Sequence, residues 1–126
     1  MLNNDITKKS VLIAEDEYIT AELFKTFIED YGHKVISITH TSKDAVDQTV
    51  ALKPDIVLVD INMGYKTAGI EACKAIKEKC PDIKVYFITA YDKDVFKNEL
   101  EKTVYDGYID KMDFIGVIEK ILSGKM

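Results

Sequence analysis

Residues 57–64 read VLVDINMG, and the single aspartate in that run governs the reading of the rest of the chain. Three apolar β-formers, Val57, Leu58 and Val59, lead straight into Asp60, and a turn-like Asn62-Met63-Gly64 follows. Consecutive rather than alternating apolar residues mark a buried strand. Packing gives such a strand no reason to end in a carboxylate, so the charge at Asp60 asks for a role.

Outward from this strand, read over Asp55–Val59, strand and helix patterns alternate without a linker. SVLIA (Ser10–Ala14) predicts a first strand, and KVISI (Lys34–Ile38) a second that alternates as if exposed on one side. KVYFIT (Lys84–Thr89) predicts a central strand and GYID (Gly107–Asp110) a short fifth. Between them, Phe24, Phe27, Ile28 and Tyr31 recur at helical spacing from Glu17 to Tyr31, and Gly32 ends that helix. Thr41 with Asp44 three residues on has capping-box spacing and opens a second helix, which Pro54 closes. A third runs from about Gly69 to Lys79 with Ile70, Cys73 and Ile76 on one stripe. A fourth, less regular, spans Asp92 to about Thr103 with Val95, Phe96 and Leu100 apolar. The last covers Phe114 to Leu122 through Val117, Ile118 and Ile121. Five such units predict an α/β fold, a single doubly wound five-stranded parallel sheet covered on both faces. Residues 1–9 read as a flexible leader, 10–123 as the domain and 124–126 as a tail.

A chain of 126 residues holds one domain with a sizeable core. Its 17 Lys and Arg against 22 Asp and Glu give a net charge of -5, which argues against direct nucleic-acid binding, where clustered positive charge is needed. No apolar run approaches the roughly 18 residues of a membrane span, and the N-terminus lacks a signal-like apolar region, so a cytoplasmic location is expected. Cys73 and Cys80 fall about 10 Å apart along one helix, too far to bridge. With no Cys/His cluster around them they read as core or partly buried thiols.

In open parallel sheets ligands sit outside the carboxyl ends of the strands. Here those ends carry Glu15, Asp16 and Glu17, then Thr39 and His40, Asp60, Thr89, and Asp110 with Lys111. Each has a plain explanation alone: acids ahead of a helix favour its dipole, and Lys111 could be ordinary surface. Together they do not. Carboxylates in one crevice repel unless a cation sits among them, and Mg²⁺, a hard ion, takes oxygen ligands. A lysine and a hydroxyl at the same rim suit a group gaining negative charge. Such a site fits phosphoryl transfer to a carboxylate. A nucleotide- or flavin-binding fold would need a phosphate loop after the first strand, and neither GxGxxG nor GxxxxGK[ST] occurs.

The paired acids after the first strand, Asp60 after the third, Thr89-Ala90 after the fourth and the Gly107-Tyr108…Lys111 run of the fifth occur in an order that resembles the receiver domain of two-component response regulators, from about Ser10 to Leu122. The resemblance implies a flavodoxin-like (βα)5 fold with strand order 2-1-3-4-5. It implies that Asp60 accepts a phosphoryl group from a histidine kinase or phosphotransfer protein, with no reaction catalysed beyond its own phosphorylation and dephosphorylation. Glu15, Asp16 and Asp60, with the backbone carbonyl of Asn62, would hold Mg²⁺. Thr89 would move toward the phosphoryl group, Lys111 would pair with it and Tyr108 would turn inward. Asn62 and Tyr91 match the two variable positions flanking the site and would set the phosphoryl lifetime, the Tyr91 ring slowing hydrolysis. The signal would leave through the fourth helix, fifth strand and fifth helix, toward a homodimer or a downstream protein. Phe96, Leu100, Val104 and Tyr105 there read either as core or as an exposed remainder.

This sequence also departs from the family's pattern. Gly64 replaces the familiar proline, Ala68 the usual Asp, and Gly69 lies nine residues after Asp60, one more than is common. Thr103-Val104 replaces a small Gly-Ala pair. Met112 replaces the proline after Lys111, so a trans bond or a rearranged loop is expected there, since a cis bond before a residue other than proline costs about 2.5–4 kcal/mol. Met112 and the altered loop after Asp60 support an alternative, a pseudo-receiver acting as a constitutive protein-binding module. A stand-alone receiver and the N-terminal part of a longer regulator or hybrid kinase both fit the sequence.

Overall fold

In the computed structural model, which describes residues 8–123, the VLVD run lies at the middle of a five-stranded sheet. Of the expected leader over residues 1–9, residues 1–7 fall outside the described residues, as does the expected tail over 124–126. The strands are β1 (Ser10–Ala14), β2 (Lys34–Thr39), β3 (Ile56–Val59), β4 (Lys84–Thr89) and β5 (Gly107–Asp110), all parallel, in the order β2-β1-β3-β4-β5. The chain steps from β1 to one side for β2 and to the other for β3. That reversal opens a crevice beyond the carboxyl ends of β1 and β3.

Register then decides what stands at the crevice. Ala14 pairs with Val59 and Thr89 with Asp110, and the Asp60 backbone N–H donates to the Ala14 carbonyl at 2.9 Å. Glu15 and Asp60, each one residue past its strand, are therefore neighbours. Thr89 and Lys111 stand on the same rim.

Two hydrophobic layers hold this sheet, one on each face. Alternate residues Val57 and Val59 of β3 join Leu12 and Phe87 against Ile70, Cys73 and Ile76 of α3 (Ala68–Lys79), with Ala45 of α2 (Ser42–Leu52). Their neighbours Ile56 and Leu58 face the other way. There they meet Phe24 and Ile28 of α1 (Tyr18–Asp30) and Phe114 and Ile118 of α5 (Phe114–Leu122). The Phe24 and Phe114 rings pack with centroids 4.2 Å apart. Burial on both faces is the physical reason β3 is continuously apolar. Among the described residues no helix is long and apolar enough to cross a membrane.

Local signals work as read at several ends. The Thr41 hydroxyl accepts from the Asp44 backbone N–H at 3.1 Å, capping α2. Phe24 and Ile28 are buried as expected, with Phe27 and Tyr31 packed at the margin. The fourth helix is a correction. Instead of one helix over Asp92 to Thr103 there is a 3-10 turn, Lys93–Phe96, followed by a short α4, Lys97–Glu101. The tighter winding of the 3-10 turn rotates side chains by more per residue than an α-helix. Phe96 and Leu100 still reach the core, but Val95 points outward and is exposed. Val104, beyond α4, is also exposed, whereas Tyr105 is half-buried against Phe87 with ring centroids 5.3 Å apart.

The longer loop after β3 is anchored by Gly69. A Cβ there would lie 2.0 Å from the Asp60 carbonyl oxygen and 2.7 Å from the Ile61 Cα. Its own N–H donates to the Ile61 carbonyl at 2.7 Å. Backbone packs directly on backbone, and neither can yield to a side chain. Gly69→Ala should therefore cost about 3 kcal/mol in urea unfolding. Gly116→Ala, at an exposed position in α5 with nothing within 4 Å of the added Cβ, should be neutral or stabilising by up to about 1 kcal/mol. Equal stabilities for the two variants would contradict this account of the loop.

Candidate functional site

Three carboxylates converge at the crevice. Oxygens of Glu15, Asp16 and Asp60 lie within 4.8 Å of one another, with Glu15 and Asp60 buried and Asp16 exposed. Lys111 reaches into the group from the turn after β5. Its Nζ is 3.1 Å from Asp60 Oδ2, 2.8 Å from Glu15 Oε1 and 3.9 Å from Glu17 Oε1. The Glu15 contact is an ion pair without the alignment of a hydrogen bond, since Oε1 has no hydrogen-bond partner among the described residues. Glu15 Oε2 accepts from the Glu17 backbone N–H at 3.1 Å, and Asp60 Oδ1 from that of Asn62 at 3.3 Å.

The electrostatics follow from burial. Loss of water pushes the Glu15 carboxyl up to about 7, with Lys111 opposing the shift and the Asp60 charge adding to it. Asp60 is raised in the same direction, chiefly by burial, against the pull of Lys111 and the Asn62 N–H. Burial works against the Lys111 ammonium too, but the two carboxylates outweigh it and hold its pKa above the ordinary lysine value. Three acids and one ammonium leave a net charge of minus two when all are ionised. An all-oxygen cluster with that deficit fits a hard divalent cation such as Mg²⁺.

Lys111 is aimed without a proline. No cis peptide occurs among the described residues, so Lys111–Met112 is trans, the first of the two expectations. Asp110, which looked like one more rim acid, instead accepts the Met112 backbone N–H at 2.9 Å and caps the 3-10 turn Lys111–Asp113. That cap directs Lys111 inward and leaves the Met112 side chain exposed.

On the far side of the crevice, Thr89 is fully buried and its Oγ1 accepts from the Tyr91 backbone N–H at 3.3 Å. Tyr108 is half-buried and its hydroxyl donates to the Tyr91 carbonyl at 2.7 Å. Burial, with Asp92, Asp110 and Asp60 nearby, pushes this phenol up to about 12, so it remains a donor at neutral pH. The exposed Tyr91 ring sits edge-on to Phe96 at 5.6 Å, and its hydroxyl accepts from Asn62 Nδ2 at 3.3 Å. Asn62 and Tyr91, read separately as flanking positions, thus touch. Sequence reasoning missed that bond because the two residues lie on different loops. It also missed the contact of His40, whose Nδ1 is 2.8 Å from the Glu15 carbonyl oxygen.

The cysteines are unpaired thiols. Cys73 is buried, donates to the Val104 carbonyl at 3.3 Å and has its pKa pushed up to about 12 by burial, which keeps it an unreactive thiol.

The family model described as response regulator receiver domain matches residues 11–121. The polar-differentiation response regulator DivK of Brucella ovis is 30% identical over 105 residues, covering 82% of this chain and 84% of that protein. The transcriptional regulatory protein DegU of Brevibacillus brevis is 28% identical over 90% of this chain but only 49% of its own length. The chain spans about half the length of several curated relatives it matches, at 49%, 42% and 56%. A solved N-terminal domain of a response regulator/sensory box/GGDEF 3-domain protein from Carboxydothermus hydrogenoformans superposes with a TM-score of 0.77 at 27% identity, over 90% of this chain and 94% of that one.

The crowding of acids sets an expectation for the metal-free protein. Unfolded Glu15 releases its proton near 4.5 and folded Glu15 near 7. Its contribution to stability is thus fully present below about pH 4.5 and is lost as pH rises through about 7. Asp60→Asn removes one repelling charge. In chelator at pH 8 the variant should be more stable than wild type, by on the order of 1 kcal/mol, and the gap should narrow toward pH 5. Thermal unfolding would check this, and a variant less stable at pH 8 would contradict it.

Proposed function

The chain belongs to the family of response regulator receiver domains, and on that footing we propose that Asp60 accepts a phosphoryl group from a histidine kinase or phosphotransfer protein. The observation that carries this reading is the placement of buried Asp60 within 4.8 Å of the Glu15 and Asp16 oxygens and 3.1 Å from the Lys111 ammonium. A carboxylate oxygen of Asp60 attacks phosphorus in line. The new P–O bond forms as the bond to the donor breaks, and the donor leaves with that electron pair. Glu15, Asp16 and Asp60, with the Asn62 carbonyl, would hold Mg²⁺, which when bound neutralises charge on the phosphoryl oxygens. Lys111 already stands at the acceptor and exchanges a carboxylate partner for a phosphoryl oxygen. No other substrate is turned over.

The switch residues are both anchored to Tyr91. Its N–H donates to Thr89 and its carbonyl accepts from Tyr108. Movement of the Thr89 hydroxyl toward a phosphoryl group gives up the first bond, and inward rotation of Tyr108 gives up the second. The face of α4, β5 and α5 changes as a result, with exposed Val104 and half-buried Tyr105 at its edge. Its partner is a second copy of the chain or a downstream protein.

Mass spectrometry after incubation with Mg²⁺ and acetyl phosphate should show one added phosphoryl group, stable to acid and labile to base. Asp60→Asn should show none. A folded wild type that stays unmodified, under conditions that phosphorylate a control receiver, would favour the constitutive binding module instead. Phosphoryl loss should be slow, because the Tyr91 ring held by Asn62 and Phe96 stands beside the approach of water. Tyr91→Ala should therefore shorten the half-life severalfold in a phosphate-release assay. An unchanged or longer half-life would remove Tyr91 from this role.

A further inference from the structure

We infer that His40, with Tyr18, is a positioning clamp for the cation-holding turn Glu15–Asp16–Glu17, an inference that rests on the receiver reading above. The problem the clamp solves is mechanical. Three consecutive acids leave β1, one of them buried beside Asp60, and their mutual repulsion tends to push the turn out of the crevice. The Glu15 peptide is held on both sides by the end of β2. Its N–H donates to the Thr39 carbonyl at 2.9 Å, and its carbonyl faces His40 Nδ1 at 2.8 Å. A backbone carbonyl only accepts, so Nδ1 is the protonated nitrogen and donates.

The ring is oriented from its other side. Tyr18, the first residue of α1, stacks on His40 with centroids 3.9 Å apart and planes within 4°. Tyr18 is 69% exposed and belongs to neither core layer, so general packing does not explain its position. The imidazole thereby bridges both ends of the acidic turn, with the Glu15 carbonyl on its edge and Tyr18 on its face. The turn is fixed before any cation arrives, and pre-organised ligands bind more tightly than ones that must first be ordered.

Amide resonances followed during MgCl₂ titration test this with two variants. His40→Phe keeps a ring for Tyr18 but removes the donor. His40→Asn keeps an N–H donor close to the position of Nδ1. His40→Phe should shift the Asp16 amide even without Mg²⁺, and should raise the Mg²⁺ dissociation constant about three- to tenfold, the scale of one neutral hydrogen bond. His40→Asn should stay within about twofold of wild type. Both should melt near wild type in chelator. Wild-type affinity in His40→Phe, or equal losses in the two variants, would overturn the clamp while leaving the receiver reading in place. A wild-type protein whose amides do not respond to Mg²⁺ would overturn both.

Discussion

The contact on which the rest of the structure depends is the one between Lys111 and the buried carboxylates of Glu15 and Asp60. Burying charge is costly, and one ammonium cannot compensate two carboxylates fully. The fold accepts that cost at the point where the strand order reverses. There both acids emerge from strands with no other polar duty. Their raised proton affinities and the elevated affinity of Lys111 are two sides of the same imbalance. A divalent cation or a phosphoryl group redistributes that charge, which is why a site of this kind suits signalling better than stability.

The scaffold's work is to keep the imbalance from dissipating. Pairing of Ala14 with Val59 fixes the separation of Glu15 from Asp60. The backbone contact at Gly69 holds the loop after β3 from below, and the Asp110 cap turns Lys111 inward from the side. On the open side, Tyr91 links Asn62, Thr89 and Tyr108 through its hydroxyl, N–H and carbonyl. A displacement at Thr89 or Tyr108 therefore disturbs the loop that carries the ring. This gives a local charge change a mechanical route toward α4 and β5.

Much of the arrangement was legible in the sequence because it rests on patterns that local physics enforces. Two-sided burial made β3 read as continuous apolar residues, and Asp60 stood out because packing could not explain it. Strand bounds at Ser10–Ala14, Lys84–Thr89 and Gly107–Asp110, and the Thr41 cap, were readable for the same reason. The 3-10 turn at Lys93–Phe96 was not, because its apolar residues are compatible with either winding and tertiary packing of Phe96 chooses between them. Asp110 could have been read as a cap from its position just before a turn, but it was read only as one of the polar residues at the strand ends. The bond from Asn62 to Tyr91 and the stack of Tyr18 on His40 join residues distant in sequence, and no spacing rule brings such pairs together.

Thermal unfolding of the wild-type protein at pH 8 across a range of MgCl₂ concentrations tests most directly whether the acidic cluster awaits a cation. The midpoint should climb steadily with the logarithm of Mg²⁺ concentration once binding saturates. The added stability should reach about 2.7 kcal/mol at a hundredfold excess over the dissociation constant. Melting curves that superimpose with and without Mg²⁺ would contradict the account.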